Sequence, residues 1–249
     1  TDRGGVLLRG GLVITEIVLA VVLVSGAGLL LNSMWRLGRA DLGFEPRGAL
    51  AVHLELPEER YPDRGVQDPL YRRLDEEMEA DPAVAAVGAS DRVPPDANIT
   101  TNGVTAAGRP ETATDFVLLR EVTPDYFETA GIDFVAGGPF ERLPASGPET
   151  GAELPVVINR KLAESLFPGG DPLGGLVEWD GRHRVVGVVE SVRQRGATEA
   201  AAPAIYLPWP AVPLLYMRRP VLLVRVAKAG RDGERAAVAA LRRAVDGID

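Results

Sequence analysis

The chain has 249 residues, of which 46% are hydrophobic, a formal net charge of −8 at pH 7 and no cysteine. This length fits one or two domains, and the hydrophobic fraction supports a folded core, which excludes a largely disordered protein. The acidic balance argues against a nucleic-acid-binding protein, which would carry a basic face. The absence of cysteine excludes disulfides, thiolate zinc sites and cysteine nucleophiles.

A long apolar run lies near the start of the chain. Between Arg9 and Asn32 there are 22 residues with a single charge, Glu16. As an α-helix they would extend about 33 Å, enough to cross a hydrocarbon core of ~30 Å. The alternative is a cleavable signal peptide cut near Ala27, but its apolar core would usually be shorter, about 7–15 residues. We therefore predict a transmembrane helix, whose orientation the flanking arginines do not determine.

Three residues of this run are candidates for packing against other transmembrane helices. Glu16 would lie about 10 Å inside Arg9, which is shallow rather than central. Its carboxylate either reaches the lipid headgroups or makes a polar contact with a neighbouring helix, and the sequence leaves both open. Gly26 and Gly28, with their small neighbours, form a smooth patch that another helix could approach closely.

The rest of the chain begins and ends with similar patterns. Alternating apolar residues predict a strand at 50–56, helical spacing predicts a helix at 68–80, and a second strand follows at 83–89. A strand at 221–226 and a helix at 234–245 repeat this order. We expect an α/β unit assembled from both ends of this region.

The middle of the chain predicts mostly short strands. Pro, Gly, Thr and Asn are frequent at 94–110 and mark a change of unit. The predicted elements are strands at 116–122, 132–135 and 155–158, a helical turn at 124–131, a helix capped by Asn159, and a hairpin around Asp180-Gly181. The sequence thus predicts an α+β fold in which a β-rich unit is inserted into the α/β unit.

No arrangement of residues typical of catalysis is evident. His53 and His183 have no partner at a useful spacing, and we predict that both lie at the surface. There is no G-x-S-x-G, and the glycine-rich stretch 169–175 lacks the Gly-Lys-Ser/Thr of a nucleotide-binding loop. We therefore predict no catalytic, cofactor-binding or metal-binding residue and no enzymatic activity. An anchored enzyme with an unrecognised site is the weakest of our hypotheses.

Five segments, taken in order, resemble one family. They are the apolar run at 12–36, DLGFEP (41–46), VTPDYFETAGIDFVAGGPF (122–140), VVINRKLAESLFPGGDPLG (156–174) and RVVGVVESVRQRGATEAAAPAIYLPW (184–209). The chain resembles the permease subunits of MacB-type ABC transporters in the MacB/FtsX superfamily, especially the orphan permeases called ADOP. The resemblance covers almost the whole chain. In one departure, Gly138-Pro139 stands where the family pattern has arginine.

The resemblance implies a division of the chain. Residues 1–47 would hold the first transmembrane helix and its flanks, with a cytoplasmic N-terminus. A porter-like α/β subdomain would come from 48–92 and, truncated, from 214–249, with an inserted β-rich subdomain at 93–213. The resemblance also implies that this sequence is a fragment and that the remaining transmembrane helices lie outside it.

The resemblance also implies a function. The chain would be part of a permease in the inner membrane that couples ATP hydrolysis by a cytoplasmic ABC ATPase to periplasmic conformational change and export. Its partners would be membrane lipid, that ATPase, a second permease module in a dimer or pseudo-dimer, and a periplasmic protein, with no cofactor and no nucleic acid. The alternative is an FtsX-like regulator or membrane-tethered sensor that binds an extracytoplasmic partner without transport.

We predict that alkaline carbonate leaves the chain in the membrane pellet, because its apolar run spans the hydrocarbon core. Immunoblots of pellet and supernatant, with a peripheral membrane protein as the released control, measure this. A chain found in the supernatant and shortened after Ala27 would favour the signal peptide instead.

Overall fold

A computed structural model describes residues 3–38, 41–62, 64–95, 100–101, 103–114, 116–144, 152–194, 196–209 and 220–248. The chain separates into two compact units, Thr1–Asp41 and Leu42–Asp249. Each unit is built differently, the first from one helix and the second around a sheet.

The first unit consists of one long helix, α1 (Arg3–Leu37). Its 35 residues extend about 53 Å, so the helix is longer at both ends than the predicted apolar run. Within the described residues, Gly10–Leu37 is the one stretch of helix long and apolar enough to cross a membrane. A signal sequence can also meet this criterion of length and composition, so the finding does not by itself distinguish the two alternatives.

The second unit is built on one large sheet. Its elements are β1 (Ala49–His53), α2 (Arg64–Glu79), β2 (Val84–Ser90), β3 (Thr100–Thr101), β4 (Val104–Ala106), β5 (Arg109–Thr114), β6 (Val117–Val122), α3 (Tyr126–Ala130), β7 (Phe134–Gly137), β8 (Leu154–Asn159), α4 (Arg160–Leu166), β9 (Leu176–Glu178), β10 (Arg182–Val189), β11 (Ala204–Pro208), β12 (Val221–Val226) and α5 (Arg231–Ile248). The strand order is β1-β12-β2-β6-β11-β8-β10-β9-β4-β5, with β3 paired to β6 and β7 paired to β10.

One end of the sheet combines strands from the two ends of the unit. β12 lies between β1 and β2 and is antiparallel to both. Apolar residues of these strands face α2 and α5, and this core includes Leu74, Met78, Val87, Leu222 and Leu241. The predicted α/β unit is therefore present, and the predicted mixed fold class is confirmed.

α3 and α4 lie on opposite faces of the sheet: α3 packs on β2, β12 and β6, whereas α4 packs against β5, β8, β10 and β11. Alternate residues of β6 show how its two faces are used: Leu118 and Val122 pack with α3, whereas Val117 and Leu119 pack with α4. Asn159 caps α4 as predicted, since its Oδ1 accepts a hydrogen bond from the Leu162 amide at 2.9 Å.

The two ends of the sheet meet at a narrow junction. β2 and β6 share a single paired position, Ser90 with Val122. Next to it, Ala89 and Thr123 exchange two hydrogen bonds of 2.9 Å, one through the Thr123 hydroxyl. Because so few ladder bonds cross here, contacts outside the ladder contribute much of the connection between the two ends.

Several sequence expectations differ from the structure. Strands β3, β4 and β5 lie where proline, glycine and threonine suggested a boundary, and β11 lies in a proline-rich stretch. His183 is 3% exposed, so the prediction of a surface position was wrong. Its ring stacks on Trp179, and its Nε2 lies 2.7 Å from the Trp179 carbonyl oxygen. The subdomain boundaries at 48–92, 93–213 and 214–249 stay a prediction.

We predict that Phe127→Ala lowers the free energy of unfolding by about 3–5 kcal/mol, because Phe127 is 1% exposed and its ring contacts Tyr126, Phe134, Phe140 and Tyr206. Urea unfolding of the chain in detergent micelles measures this. Phe116 is 74% exposed, so Phe116→Ala serves as the control and should change the free energy by less than about 0.5 kcal/mol. Equal losses in the two variants would contradict the assigned core.

Candidate functional site: the neck clamp

Residues 42–47, here called the neck, directly follow the first unit in the chain. The Leu42 carbonyl accepts a hydrogen bond from the Arg193 amide at 2.9 Å, and the Glu45 amide donates to the Ala130 carbonyl at 3.0 Å. Phe44 is partly buried against the core around α3. The neck is thereby fixed to two separate parts of the second unit.

The Arg225 guanidinium joins three stretches of backbone. From β12 it donates to the carbonyls of Thr129 at 2.9 Å, Glu45 at 3.0 Å and Arg47 at 3.2 Å. Thr129 lies in the last turn of α3, where carbonyls have no partner within the helix. Arg225 thus supplies hydrogen bonds to the end of α3 and to the neck together, and we call this arrangement the neck clamp.

The C-terminal end of α3 has a backbone conformation that lets the neck approach closely. Gly131 has a left-handed backbone (φ 64°), and the Gly131 and Ile132 amides donate to the Glu128 and Phe127 carbonyls, the Schellman pattern of a helix end. A Cβ at Gly131 would lie 2.8 Å from the Glu45 Cβ. Glycine therefore satisfies both the turn and the close approach of the neck.

A small apolar cavity lies beside the clamp. Its volume is about 130 Å³, and its lining residues are Phe44, Glu45, Pro46, Ala49, Ala51, Val93, Pro94, Tyr126, Ala130 and Leu223. The neck, the start of β1 and α3 all contribute to its wall. The neck and α3 therefore border a small apolar space next to the clamp.

Ionisable side chains are buried on the α3 side of the sheet near the clamp. Arg120 and Tyr206 are paired positions on β6 and β11, and both are fully buried with Tyr126 of α3. Burial raises the pKa of Asp91 to about 6, against the opposing effect of the Arg120 charge. Burial also raises the pKa of Tyr206 to about 12. These groups add polar character to a core that otherwise consists of aromatic and aliphatic residues.

The predicted membrane-packing residues all lie on α1. Glu16 and Gly28 are exposed, and Gly26 is half-exposed. Residues two apart on an α-helix point about 200° apart, so Gly26 and Gly28 lie on opposite sides and cannot face the same neighbour. Gly26 lies about 80° around the helix from Glu16 by the same geometry. Their role in helix packing stays a prediction.

The described part of the chain gives little support for a metal site or for a site of acid–base catalysis. There, no three His, Asp or Glu side chains are grouped so that they could hold a metal ion. His53 is exposed on edge strand β1, and burial lowers the pKa of His183. Neither histidine lies at the neck clamp.

Sequence reasoning missed Arg225 as a site residue. It is the one charge in VLLVRV, the buried strand β12, which is the signal that could have singled it out. Its partners lie far away in the chain, with Thr129 96 positions and Glu45 180 positions distant. Only the folded sheet brings them together.

We predict that Gly131→Ala destabilises the fold more than Gly108→Ala. Both glycines have a left-handed backbone (φ 64° and 75°), but a Cβ at Gly108 would meet no atom within 4 Å. Backbone strain should cost each variant about 1–2 kcal/mol, and the clash with the neck should cost Gly131→Ala about 1–3 kcal/mol more. Urea unfolding measures the difference, and equal losses would show that the neck yields without cost.

Comparison with solved structures identifies proteins with a similar fold. The chain aligns over 83% of its length with 86% of the periplasmic region of MacB from Actinobacillus actinomycetemcomitans, at 14% identity and a TM-score of 0.50. It aligns over 80% of its length with 94% of the extracellular domain of the noncanonic ABC-type transporter YknZ from Gram-positive bacteria, at 19% identity and a TM-score of 0.47. At these identities the first likeness indicates the fold alone. Among curated proteins, none matches the chain.

The family is identified by sequence. Residues 11–244 match the family model of the MacB-like periplasmic core domain, which includes most of α1, the neck, the whole sheet and most of α5. This match covers nearly the entire chain and agrees with the mixed α/β fold and its apolar N-terminal helix. The chain belongs to the MacB-like periplasmic core domain family, and it is the membrane-anchored, extracytoplasmic domain of an ABC transporter permease of that family.

Proposed function

We propose that this chain couples ATP hydrolysis by a cytoplasmic ABC ATPase to a movement of its periplasmic domain that drives export. The ATPase would act from the other side of the inner membrane, with the N-terminus of α1 cytoplasmic. The chain itself would transmit force and make no covalent bond. Family membership supports the transporter context, and the neck clamp supports the transmission.

The observation that carries this proposal is the set of three hydrogen bonds from Arg225. Any displacement of the neck pulls on the Glu45 and Arg47 carbonyls, and the same guanidinium holds the Thr129 carbonyl of α3. The Glu45 amide adds a direct bond to α3 through the Ala130 carbonyl. A force arriving at the neck would therefore reach α3 without passing through a flexible linker.

Within the membrane, we propose that α1 packs against further transmembrane helices of the permease. Glu16 would make a polar contact there, since charged side chains inside a bilayer usually face protein. Gly26 would allow a close approach on a neighbouring face, and Gly28 would serve a contact on the opposite side. Permease modules would pair as a dimer or pseudo-dimer, with a periplasmic protein as a further partner.

We predict that Arg225→Gln uncouples the periplasmic domain from ATP hydrolysis. The variant loses most of three hydrogen bonds, about 3 kcal/mol in all, while the nucleotide site lies on another protein. The test uses the permease in nanodiscs with the ATPase that copurifies with it. Spin labels replace the exposed residues Glu76 on α2 and Glu128 on α3 in the cysteine-free chain, and their distance is measured with and without ATP. ATP should shift the distance in the parent and not in Arg225→Gln, with ATPase activity retained.

Arg243→Gln is the matched control, because Arg243 bonds Asp81 at 2.7 Å and is not part of the clamp. It should respond to ATP as the parent does. A full response in Arg225→Gln would refute transmission through the clamp. If no ATPase copurifies and ATP has no effect on the parent, the FtsX-like regulator or sensor becomes the better explanation.

A further inference from the structure

Residues 138–144, here called the strap, follow β7 and are neither helix nor strand. Phe140 is their buried anchor, with its ring centroid 6.2 Å from that of Phe127 in α3. Glu141 and Pro144 are exposed. Beyond Phe140, therefore, the polar contacts of the strap largely determine where it lies.

Two arginines fasten the strap to the helices beside it. Arg142 donates from Nη1 to the Asp75 carboxylate of α2 at 2.8 Å and from Nη2 to the Asp125 carboxylate at 2.9 Å, immediately before α3. From α2, Arg72 donates to the Leu143 carbonyl at 2.9 Å. These contacts join the strap, which follows β7 in the β-rich part of the sheet, to α2 and α3, which both pack on β2 at the α/β end. They therefore cross the junction where β2 and β6 share one paired position.

The two carboxylates that hold Arg142 differ in exposure. The Asp125 side chain is 43% exposed, whereas that of Asp75 is 8% exposed. Hydrogen bonds between charged groups are about twice as strong as those between neutral groups. Water weakens such bonds most where the charged side chains are exposed. The bond to Asp75 is therefore the stronger of the two, and its strength depends on the charge of Asp75.

Burial makes that charge sensitive to pH. It raises the pKa of Asp75 to about 6, opposed by Arg142 of the strap and reinforced by Asp125 and by Glu79 of α2. Since the folded pKa exceeds the ordinary value of 3.8, the folded state holds the proton more tightly than the unfolded state. Protonated Asp75 thus stabilises the folded state below about pH 4, and this contribution is lost as the pH rises to about 6. The ionised form costs stability because it is a buried charge, but it keeps the bond to Arg142 strong.

We propose that Arg142 is a releasable latch, which holds the strap on α2 and α3 while Asp75 is ionised and lets residues 141–144 detach when Asp75 is neutral. Its importance for export rests on the proposed function, because detachment would free the two ends of the sheet to move at their narrow junction. The latch itself is a property of this chain and is testable without an ATPase.

The test places a spin label at the exposed Glu141, with Glu141→Cys as the only cysteine of the chain. Spectra of the full chain in nanodiscs between pH 7.5 and 4.5 give the ratio of mobile to immobilised label. In the parent this ratio should rise as the pH falls, with a midpoint near 6. In Asp75→Asn it should be high throughout and independent of pH. Arg142→Gln should raise the ratio about tenfold at pH 7.5, and Arg142→Lys should recover part of the immobilised state.

Two controls separate the latch from a general loss of structure. Arg160→Gln breaks an exposed ion pair with Glu190 away from the strap and should behave as the parent does. A label at the exposed Lys161 on α4 should keep its mobility over the same pH range, which excludes unfolding. The latch is refuted if Asp75→Asn retains the parental pH transition or if Arg142→Gln leaves the label at 141 immobilised. Neither result would bear on coupling through Arg225, which is measured by the response to ATP.

Discussion

The contact between Arg225 and three backbone carbonyls constrains much of the surrounding structure. A guanidinium presents five N–H donors in a rigid plane, so it can bond several carbonyls at fixed angles, whereas a lysine ammonium is a flexible point charge. The carbonyl of Thr129 belongs to a helix end, and those of Glu45 and Arg47 belong to the neck. One side chain on β12 therefore joins the end of α3 to the segment through which the chain enters the sheet.

α3 can pack closely on β2 because the strand has a glycine, Gly88, beneath the helix. A Cβ at Gly88 of β2 would lie 2.7 Å from the Tyr126 Cα, so the helix rests directly on the strand backbone. The C-terminal end of α3 then meets the neck through Ala130, and Asp125, before its first residue, meets Arg142 of the strap. With only five residues, about 7.5 Å of helix, α3 has little room to bend between the two contacts.

Local signals in the sequence predicted local structure well. The Asp180-Gly181 turn does connect antiparallel strands, and the side chain of Asn159 does cap α4, because each depends on a few neighbouring residues. β11 escaped prediction because its burial between β6 and β8 is a property of the sheet and not of its own proline-rich sequence. The clamp and the latch escaped for the same reason, since Arg142 and Asp75 lie 67 positions apart. A charged residue in an otherwise apolar or structured segment was the available signal of a polar contact. Such a residue does not show which distant residue is its partner.

The contacts of Arg225 and Arg142 differ in their response to pH, so they suit different functions. Arg225 bonds carbonyls, whose strength as acceptors does not change with pH, so the neck clamp remains formed wherever the domain is folded. Arg142 bonds carboxylates, and burial raises the pKa of the more buried one, Asp75, to about 6, so the proposed latch would have two states within an attainable pH range. A constant attachment at one end of α3 and a variable one at the other would let the same short helix transmit a displacement or absorb it, depending on the charge of Asp75.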